Sequence, residues 1–156
     1  LEIDSDIILL GVPRSLMDAL KESVFCYVNG QYLSTIATAG IAAELFCIHI
    51  YRIFLQTLGL ERSRVKRRME SFSQISQFEK IDTLNSVVGI ENHICEILHS
   101  IRKVRNDNVH PHAEKAYKSD ALDALQNLID VLNAYSATIP NNAHVQDSSQ
   151  PDPKFD

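Results

Sequence analysis

The sequence has few of the residues that interrupt regular secondary structure. It contains five glycines and five prolines, and Pro140, Pro151 and Pro153 all lie close to the C-terminus. An all-β sandwich or barrel needs turn-forming residues at intervals of about ten residues. Because such residues are rare between positions 14 and 110, a turn-rich β fold is excluded and long helices are favoured.

Cysteine is also scarce, and tryptophan is absent. Cys26, Cys47 and Cys95 are far apart, each lies in an apolar stretch, and no two are spaced as a CxxC pair. Zinc knuckles and disulfide frameworks need closely spaced or paired cysteines, so neither is indicated. We expect buried free thiols, which is the usual state of cysteine in a reducing cytoplasm.

Signals for export and for membrane insertion are lacking as well. Residues 1–10 mix acidic with apolar side chains, unlike a secretory signal. The longest apolar stretch, 33–58, is interrupted by Glu44, His49 and Arg52, and a glutamate in the middle of a bilayer is costly. The sequence therefore predicts a cytoplasmic protein that does not span a membrane.

Positive charge is in the minority, with 15 Lys and Arg against 20 Asp and Glu and a formal net charge of −5. The molecule as a whole is therefore not expected to attract nucleic acid, and local clusters matter more than the sum. The first basic cluster consists of Arg62, Arg64, Lys66, Arg67 and Arg68, and the second of Arg102, Lys103 and Arg105.

Apolar residues recur at helical spacing along most of the chain, and Gly30, Gly59 and Gly89 separate the segments. We predict an all-α, four- to five-helix up-and-down bundle over residues 1–138 and a disordered polar tail over 139–156. The predicted helices cover about 13–28, 32–58, 78–84 and 91–109, with a last one from an N-cap at Ser119. The segment 60–77 is open between a helix and a loop. The second helix is apolar on most of its circumference, which predicts a central helix or an oligomer interface.

Two charged residues fall within apolar helix faces. Arg105 follows Ile94 by eleven residues, close to three turns, and Glu44 follows Ile36 by eight. A buried charge must be paired, or it must line a pocket or an interface. The simplest hypothesis is that Glu44 and Arg105 pair with each other, and the alternative is an arginine whose stem passes the core to reach another carboxylate.

The end of this long helix, Arg105-Asn106-Asp107-Asn108-Val109-His110, places a histidine five residues after the arginine, and Pro111 stops the helix. With this motif, the chain resembles the HEPN superfamily (higher eukaryote and prokaryote nucleotide-binding domains), helical bundles that carry an Arg-x4–6-His motif. It looks like the uncharacterised HEPN-like domains of bacteria over roughly residues 12–136. The other segments that carry the resemblance are Asn29-Gly30-Gln31-Tyr32, the alanine-rich helix with Glu44, Phe78–Leu84, Gly89, Ile101–Asn106 and Ser119-Asp120-Ala121.

The resemblance implies metal-independent RNA cleavage at a composite site that two copies of the chain form across a homodimer interface. His110 would act as general base or acid at the ribose 2′-OH or the leaving 5′-oxygen, and Arg105 would stabilise the charged phosphorane. Asn106 would orient His110 or the phosphate. Arg102 and Lys103 would bind flanking phosphates, and the first basic cluster is a candidate to extend this track. The expected products are a 2′,3′-cyclic phosphate and a 5′-hydroxyl, and no cofactor is implied.

Two functions are therefore open. The first is an endoribonuclease that serves as a toxin or defence effector, with RNA as substrate and a protein antitoxin as a possible partner. The second is a non-catalytic module for dimerisation or for binding nucleic acid or protein, free-standing or cut from a larger nuclease or helicase. A basic groove converging on Arg105 and His110 favours the first. A buried Arg105 paired with Glu44, with His110 facing solvent, favours the second.

A metal site is the weakest of the candidate chemistries. His110 and His112 flank Pro111, and Asp107 or Glu114 is near them in sequence. A structural or catalytic zinc site needs at least three well-spaced protein ligands, and the spacing here does not supply them. The sequence therefore predicts no metal.

Overall fold

The computed structural model describes residues 12–109 and 117–138 and is all-helical over that part of the chain. The predicted all-α class is thus confirmed. Six α-helices are present in the described residues, where four or five were expected, because the segment left open at 60–77 forms a helix. The helices are α1 (Arg14–Val28), α2 (Tyr32–Thr57), α3 (Arg62–Gln74), α4 (Gln77–Thr83), α5 (Asn92–Val109) and α6 (Lys118–Thr138), with a π-helical turn (Leu84–Val88) after α4.

Several helix ends follow from local chemistry. Gly59 after α2 and Gly89 after the π-helical turn have φ angles of 62° and 81°, a left-handed conformation that favours glycine. The predicted N-cap of α6 is wrong by one position or more, because α6 already begins at Lys118 and Ser119 lies inside its first turn. The predicted polar tail, 139–156, lies outside the described residues.

Helix α2 is the central element of the bundle, as its apolar circumference predicted. It contacts each of the other five α-helices as well as the π-helical turn. Ala39, Ala42 and Ala43 are fully buried, and their small side chains let neighbouring helices approach closely. By length and composition alone α2 could cross a membrane, but 56% of its most apolar 18-residue segment is buried inside the fold. Its apolar surface is therefore used largely by its own bundle.

The short helix α4 is fixed by a capping box that the sequence reading missed. The Ser76 hydroxyl accepts a hydrogen bond from the Glu79 backbone N–H at 3.2 Å, and the Ser76 N–H donates to Glu79 Oε2 at 2.8 Å. These bonds satisfy two backbone donors that a helix start would otherwise leave free. A helix of seven residues is thereby set in place against α2 and α5.

The predicted buried free thiols are confirmed, since Cys26, Cys47 and Cys95 are all buried and unpaired. Burial raises the pKa of Cys47 to about 12, with further contributions from Cys95 and Glu44. Burial also raises the pKa of Cys95. These thiols stay protonated at neutral pH, so they serve as small apolar core residues.

Candidate functional site

Arg105 lies across the backbone of α2 at Gly40. A Cβ at position 40 would be 2.5 Å from Arg105 Cδ, so the glycine makes room for the arginine stem. The guanidinium then reaches the start of α4, where Nη1 donates to the Gln77 side-chain oxygen at 3.3 Å. The side chain is half-buried, and its position is set jointly by α2, α4 and α5.

The proposed pairing of Glu44 with Arg105 is wrong, because Glu44 pairs with Lys80 of α4. Lys80 Nζ lies 2.7 Å from Glu44 Oε1 and also donates to the backbone oxygens of Ser73 and Ile75. The Lys80 side chain is only 2% exposed and that of Glu44 33%. A lysine needs such partners to lose its hydration shell, and the Glu44 carboxylate supplies the opposite charge.

In the described part of the chain, this pairing leaves Arg105 without a counter-charge. Among the described residues no carboxylate lies within ion-pair distance of Arg105, and its recorded hydrogen bond goes to a neutral amide. A half-buried guanidinium keeps several N–H donors in a fixed planar fork. The arrangement is therefore suited to receive an anion from outside the described part of the chain.

Beside Arg105, the second basic cluster meets an aromatic residue of α4. The Arg102 guanidinium carbon lies 5.3 Å from the centre of the Phe78 ring, within range of a cation–π interaction. The His99 ring lies 5.1 Å from the same ring. Phe78 is 52% exposed, so it holds these two polar side chains at the surface of the α4–α5 junction without closing the junction off.

Three buried polar atoms at this junction have no hydrogen-bond partner among the described residues. They are Gln77 Nε2, Arg102 Nε and His99 Nδ1. Leaving a buried donor or acceptor unsatisfied costs about 1 to 3 kcal/mol, so native proteins rarely do so without a reason. All three are nitrogen atoms, and because they are buried an anion from outside reaches them only after a side chain moves.

The local field also affects the histidine of this junction. Partial burial lowers the pKa of His99, Arg102 adds to the lowering, and Asp82 opposes it. At neutral pH His99 is therefore mainly the neutral imidazole, with one ring nitrogen free to accept a proton. Under these conditions His99 adds no positive charge to that of Arg102 and Arg105.

The structure brings some of the predicted site residues together and leaves others apart. Arg105 and Arg102 both extend toward α4, whereas Lys103 is exposed with no recorded partner among the described residues, and Asn106 is exposed one turn after Arg102. His110, the proposed proton-transfer group, lies outside the described residues. The described half of the motif is thus its arginine and the polar residue that follows it.

Sequence reasoning missed Gln77 and Lys80 as site residues. Each had a signal in the sequence: Gln77 and Lys80 share a helical face with Ile81 and Leu84, at positions where only apolar residues would be expected. That face is the buried one, since Lys80, Ile81 and Leu84 are all buried. Phe78 of the same short helix is 52% exposed and lies at the junction with α5.

In the described part of the chain, no group of three histidine, cysteine or carboxylate side chains could hold a metal ion. The residues suggested for one, His110, His112 and Glu114, lie outside that part, and Asp107 is exposed within it. We found no family model, curated protein or solved structure that matches this chain.

Proposed function

We propose that the chain is a metal-independent endoribonuclease of the HEPN type, in which Arg105 binds the phosphate at the cleaved bond. The observation that carries this proposal is the uncompensated guanidinium of Arg105. Its stem lies across Gly40, and its only recorded partner in the described residues is the Gln77 amide oxygen. A cation that the fold positions and does not neutralise is ready for an anionic substrate without further rearrangement.

In the proposed reaction the ribose 2′-oxygen attacks the adjacent phosphorus while a base removes its proton. His110 is the proposed base. As the P–O5′ bond breaks, the 5′-oxygen takes up a proton, so that the products are a 2′,3′-cyclic phosphate and a 5′-hydroxyl. Negative charge grows on the non-bridging oxygens of the phosphorane, where the planar fork of Arg105 binds two oxygens at once.

The other residues of the junction take supporting roles in this proposal. Arg102, whose guanidinium lies beside the Phe78 ring, binds a flanking phosphate. Lys103, exposed on the same helix, contributes a less specific attraction. Asn106 orients the phosphate or His110. Glu44 acts indirectly, since it fixes Lys80 and thereby the position of α4, which holds Gln77.

The test is cleavage of single-stranded RNA by the purified parent protein in the presence of EDTA, with end-group analysis of the products. We expect cyclic phosphate ends from the parent and a loss of rate of about a hundredfold or more in His110→Ala and Arg105→Ala. Arg105→Lys should also be poor, because an ammonium does not reproduce the fork. Asn106→Ala should fall between these variants and the parent.

The controls lie on the same helix. His93 is exposed on α5, so His93→Ala should cut like the parent and shows that losing a surface histidine is harmless. Every variant must keep the melting temperature and the sedimentation of the parent. The substrate panel needs transfer RNA and total RNA as well as a generic single strand. A well-folded parent that cuts none of these would remove the enzyme proposal.

One observation favours the second candidate function, a non-catalytic interaction module. Three large apolar side chains flank the turn between α1 and α2 and face solvent: Phe25, Val28 and Leu33 are 60%, 75% and 50% exposed. Exposed apolar groups close together in sequence are typical of binding surfaces. This function is adopted if the parent protein fails the cleavage test.

A further inference from the structure

A pocket lies where α2, α3 and α4 meet. It has a volume of about 340 Å³, and its lining includes Tyr51 of α2, Phe72 of α3 and Thr83 of α4. The Tyr51 and Phe72 rings stack at 4.1 Å with an interplanar angle of 15°. Phe72 is buried while Tyr51 is half-buried, so the pocket has a rigid aromatic wall.

The pocket is also lined by two arginines of the first basic cluster, Arg67 and Arg68. Both are exposed, and neither forms an ion pair among the described residues. The acid on this helix, Glu70, is engaged by Lys66 at 3.9 Å. Two free guanidinium groups beside an aromatic and apolar wall are the combination that binds a phosphate together with a base.

The pocket and Arg105 lie along the same side of α2. Gly40, which contacts Arg105, and Tyr51, which lines the pocket, are eleven residues apart, close to three turns and roughly 16 Å along the helix axis. Helix α4 bridges the two, since Gln77 at its start contacts Arg105 and Thr83 at its end lines the pocket. Stacked nucleotides rise about 3.4 Å each, so several nucleotides span the gap.

We propose that the pocket at Tyr51, Arg67 and Arg68 binds a nucleotide of single-stranded RNA several positions away from the phosphate at Arg105. This inference rests on the proposed function, because it takes the same RNA to be the substrate. Arg67 and Arg68 contact the phosphate of this nucleotide, and the aromatic wall receives its base. The strand then runs along α4, which would make the enzyme prefer a single strand to a rigid duplex.

The experiment measures binding of a labelled 2′-O-methyl oligoribonucleotide of about twelve residues to the parent protein by fluorescence anisotropy, over a range of salt concentrations. Such RNA has no free 2′-hydroxyl, so binding is measured without cleavage. Arg67→Ala/Arg68→Ala should weaken binding by at least about tenfold. It should also reduce the slope of log affinity against log salt by about 1 to 1.5, as expected for two lost contacts to single-strand phosphates.

The matched control is Arg62→Ala/Arg64→Ala, which removes the same charge from exposed positions of the same helix that do not line the pocket. It should weaken binding less than about threefold, because it reduces only the overall electrostatic attraction between the protein and the RNA. Tyr51→Leu should weaken binding several-fold and leave the salt slope unchanged, because it removes an aromatic surface and no charge. Circular dichroism should be the same for all variants.

Equal losses of RNA affinity in the two double arginine variants would mean that the overall positive charge attracts the RNA, which would contradict the pocket. An unchanged affinity in Arg67→Ala/Arg68→Ala would contradict it as well. A parent that binds vesicles of anionic lipid but not the oligonucleotide would overturn it too. The cleavage test is independent of this result. If RNA binding depends on Arg67 and Arg68 but the parent does not cleave RNA, the enzyme proposal is contradicted and the RNA subsite is supported. If the parent cleaves RNA but Arg67→Ala/Arg68→Ala leaves RNA binding unaffected, the subsite is contradicted and the enzyme proposal is supported.

Discussion

At the scale of single residues, the candidate site depends on a glycine at position 40, which has no side chain. Gly40 lies in the middle of α2, where glycine is otherwise unfavourable by up to about 1 kcal/mol relative to alanine. The stem of Arg105 fills the space that a side chain would occupy. The structural role of Gly40 is thus to position a charged group of another helix, which gives two opposite expectations for the same substitution.

Gly40→Ala is expected to lower the free energy of unfolding of the parent protein by about 1 kcal/mol, because overpacking against Arg105 outweighs the gain in helix propensity. In an Arg105→Ala background the clash is absent, so Gly40→Ala should raise the free energy of unfolding by up to about 1 kcal/mol. Urea denaturation of the four proteins measures both steps. A stabilising effect of the same size in both backgrounds would show that Arg105 does not occupy this space.

Glu44→Ala is expected to destabilise the fold by about 2 to 3 kcal/mol, because it leaves the buried Lys80 ammonium without its carboxylate. Glu44 is itself one-third exposed, which places the effect at the low end of what a buried pair loses. The surface pair Lys66–Glu70, with side chains 79% and 61% exposed, is the control, and Glu70→Ala should change stability by less than about 0.5 kcal/mol. Similar small effects at both sites would contradict a structural ion pair at Lys80.

At the scale of helices, α4 determines the geometry of both candidate sites although it has only seven residues. An isolated helix of this length is unstable in water, so its position depends on its capping box and on Lys80. Bonds from the Ser76 hydroxyl and backbone lower the pKa of Glu79. A carboxyl group whose pKa is lowered by folding stabilises the fold above its unfolded pKa, and this contribution is lost as the pH falls through the lowered value.

Ser76→Ala should therefore lower the free energy of unfolding by about 1 kcal/mol at neutral pH, as loss of an N-cap usually does. The difference from the parent should narrow as the pH falls below the ordinary pKa of a glutamate and through the lowered pKa of Glu79, because protonation removes its share of the capping box. Ser71→Ala is the control, since Ser71 lies inside α3 and caps no helix. A Ser76→Ala effect that stays constant down to pH 3 would show that Glu79 takes no part in the cap.

The sequence predicts the bounds of the long helices and of the short helix α4, expected at 78–84, to within about one residue, and it leaves the segment of α3 open. In α2 and α5 the apolar period repeats over several turns, and Gly59 and Gly89 mark ends, so the pattern outweighs single exceptions. In α4 the apolar pattern predicts the helix, but it does not predict that the buried face includes Lys80. The partner of Glu44 was missed for the same reason, because a buried lysine is not expected on an apolar face.

The site itself was predictable only in part. Arg105 was identified because a charge in the middle of a long apolar stripe is conspicuous, and the structure places it between α2 and α4. The absence of a carboxylate partner for Arg105 among the described residues was not predictable, because it depends on Glu44 pairing with Lys80. The pocket at Tyr51 was also not predictable, since it requires α3 and α4 to meet α2 at a point that no local pattern specifies.

At the scale of the whole molecule, one argument for a homodimer becomes weaker and another stays. The apolar circumference of α2 is used by its own bundle, so it no longer calls for a second chain. The motif at the end of α5 still predicts a second chain, because the proposed site combines Arg105 and His110 of two copies. We expect a two-fold homodimer through α5 and the segment 105–112, with twice the mass of the 17.6 kDa chain.

The last prediction concerns whether the two copies share a site. Arg105→Ala and His110→Ala proteins should each sediment as dimers and be inactive, because each lacks one essential group. After the two are mixed and allowed to exchange subunits, half of the random dimers carry one intact Arg105 and one intact His110. If these act together across the interface, part of the RNA cleavage returns, whereas mixing either variant with itself restores none. Sedimentation of the parent as a monomer at micromolar concentration, or no recovery after verified exchange, would contradict a composite site.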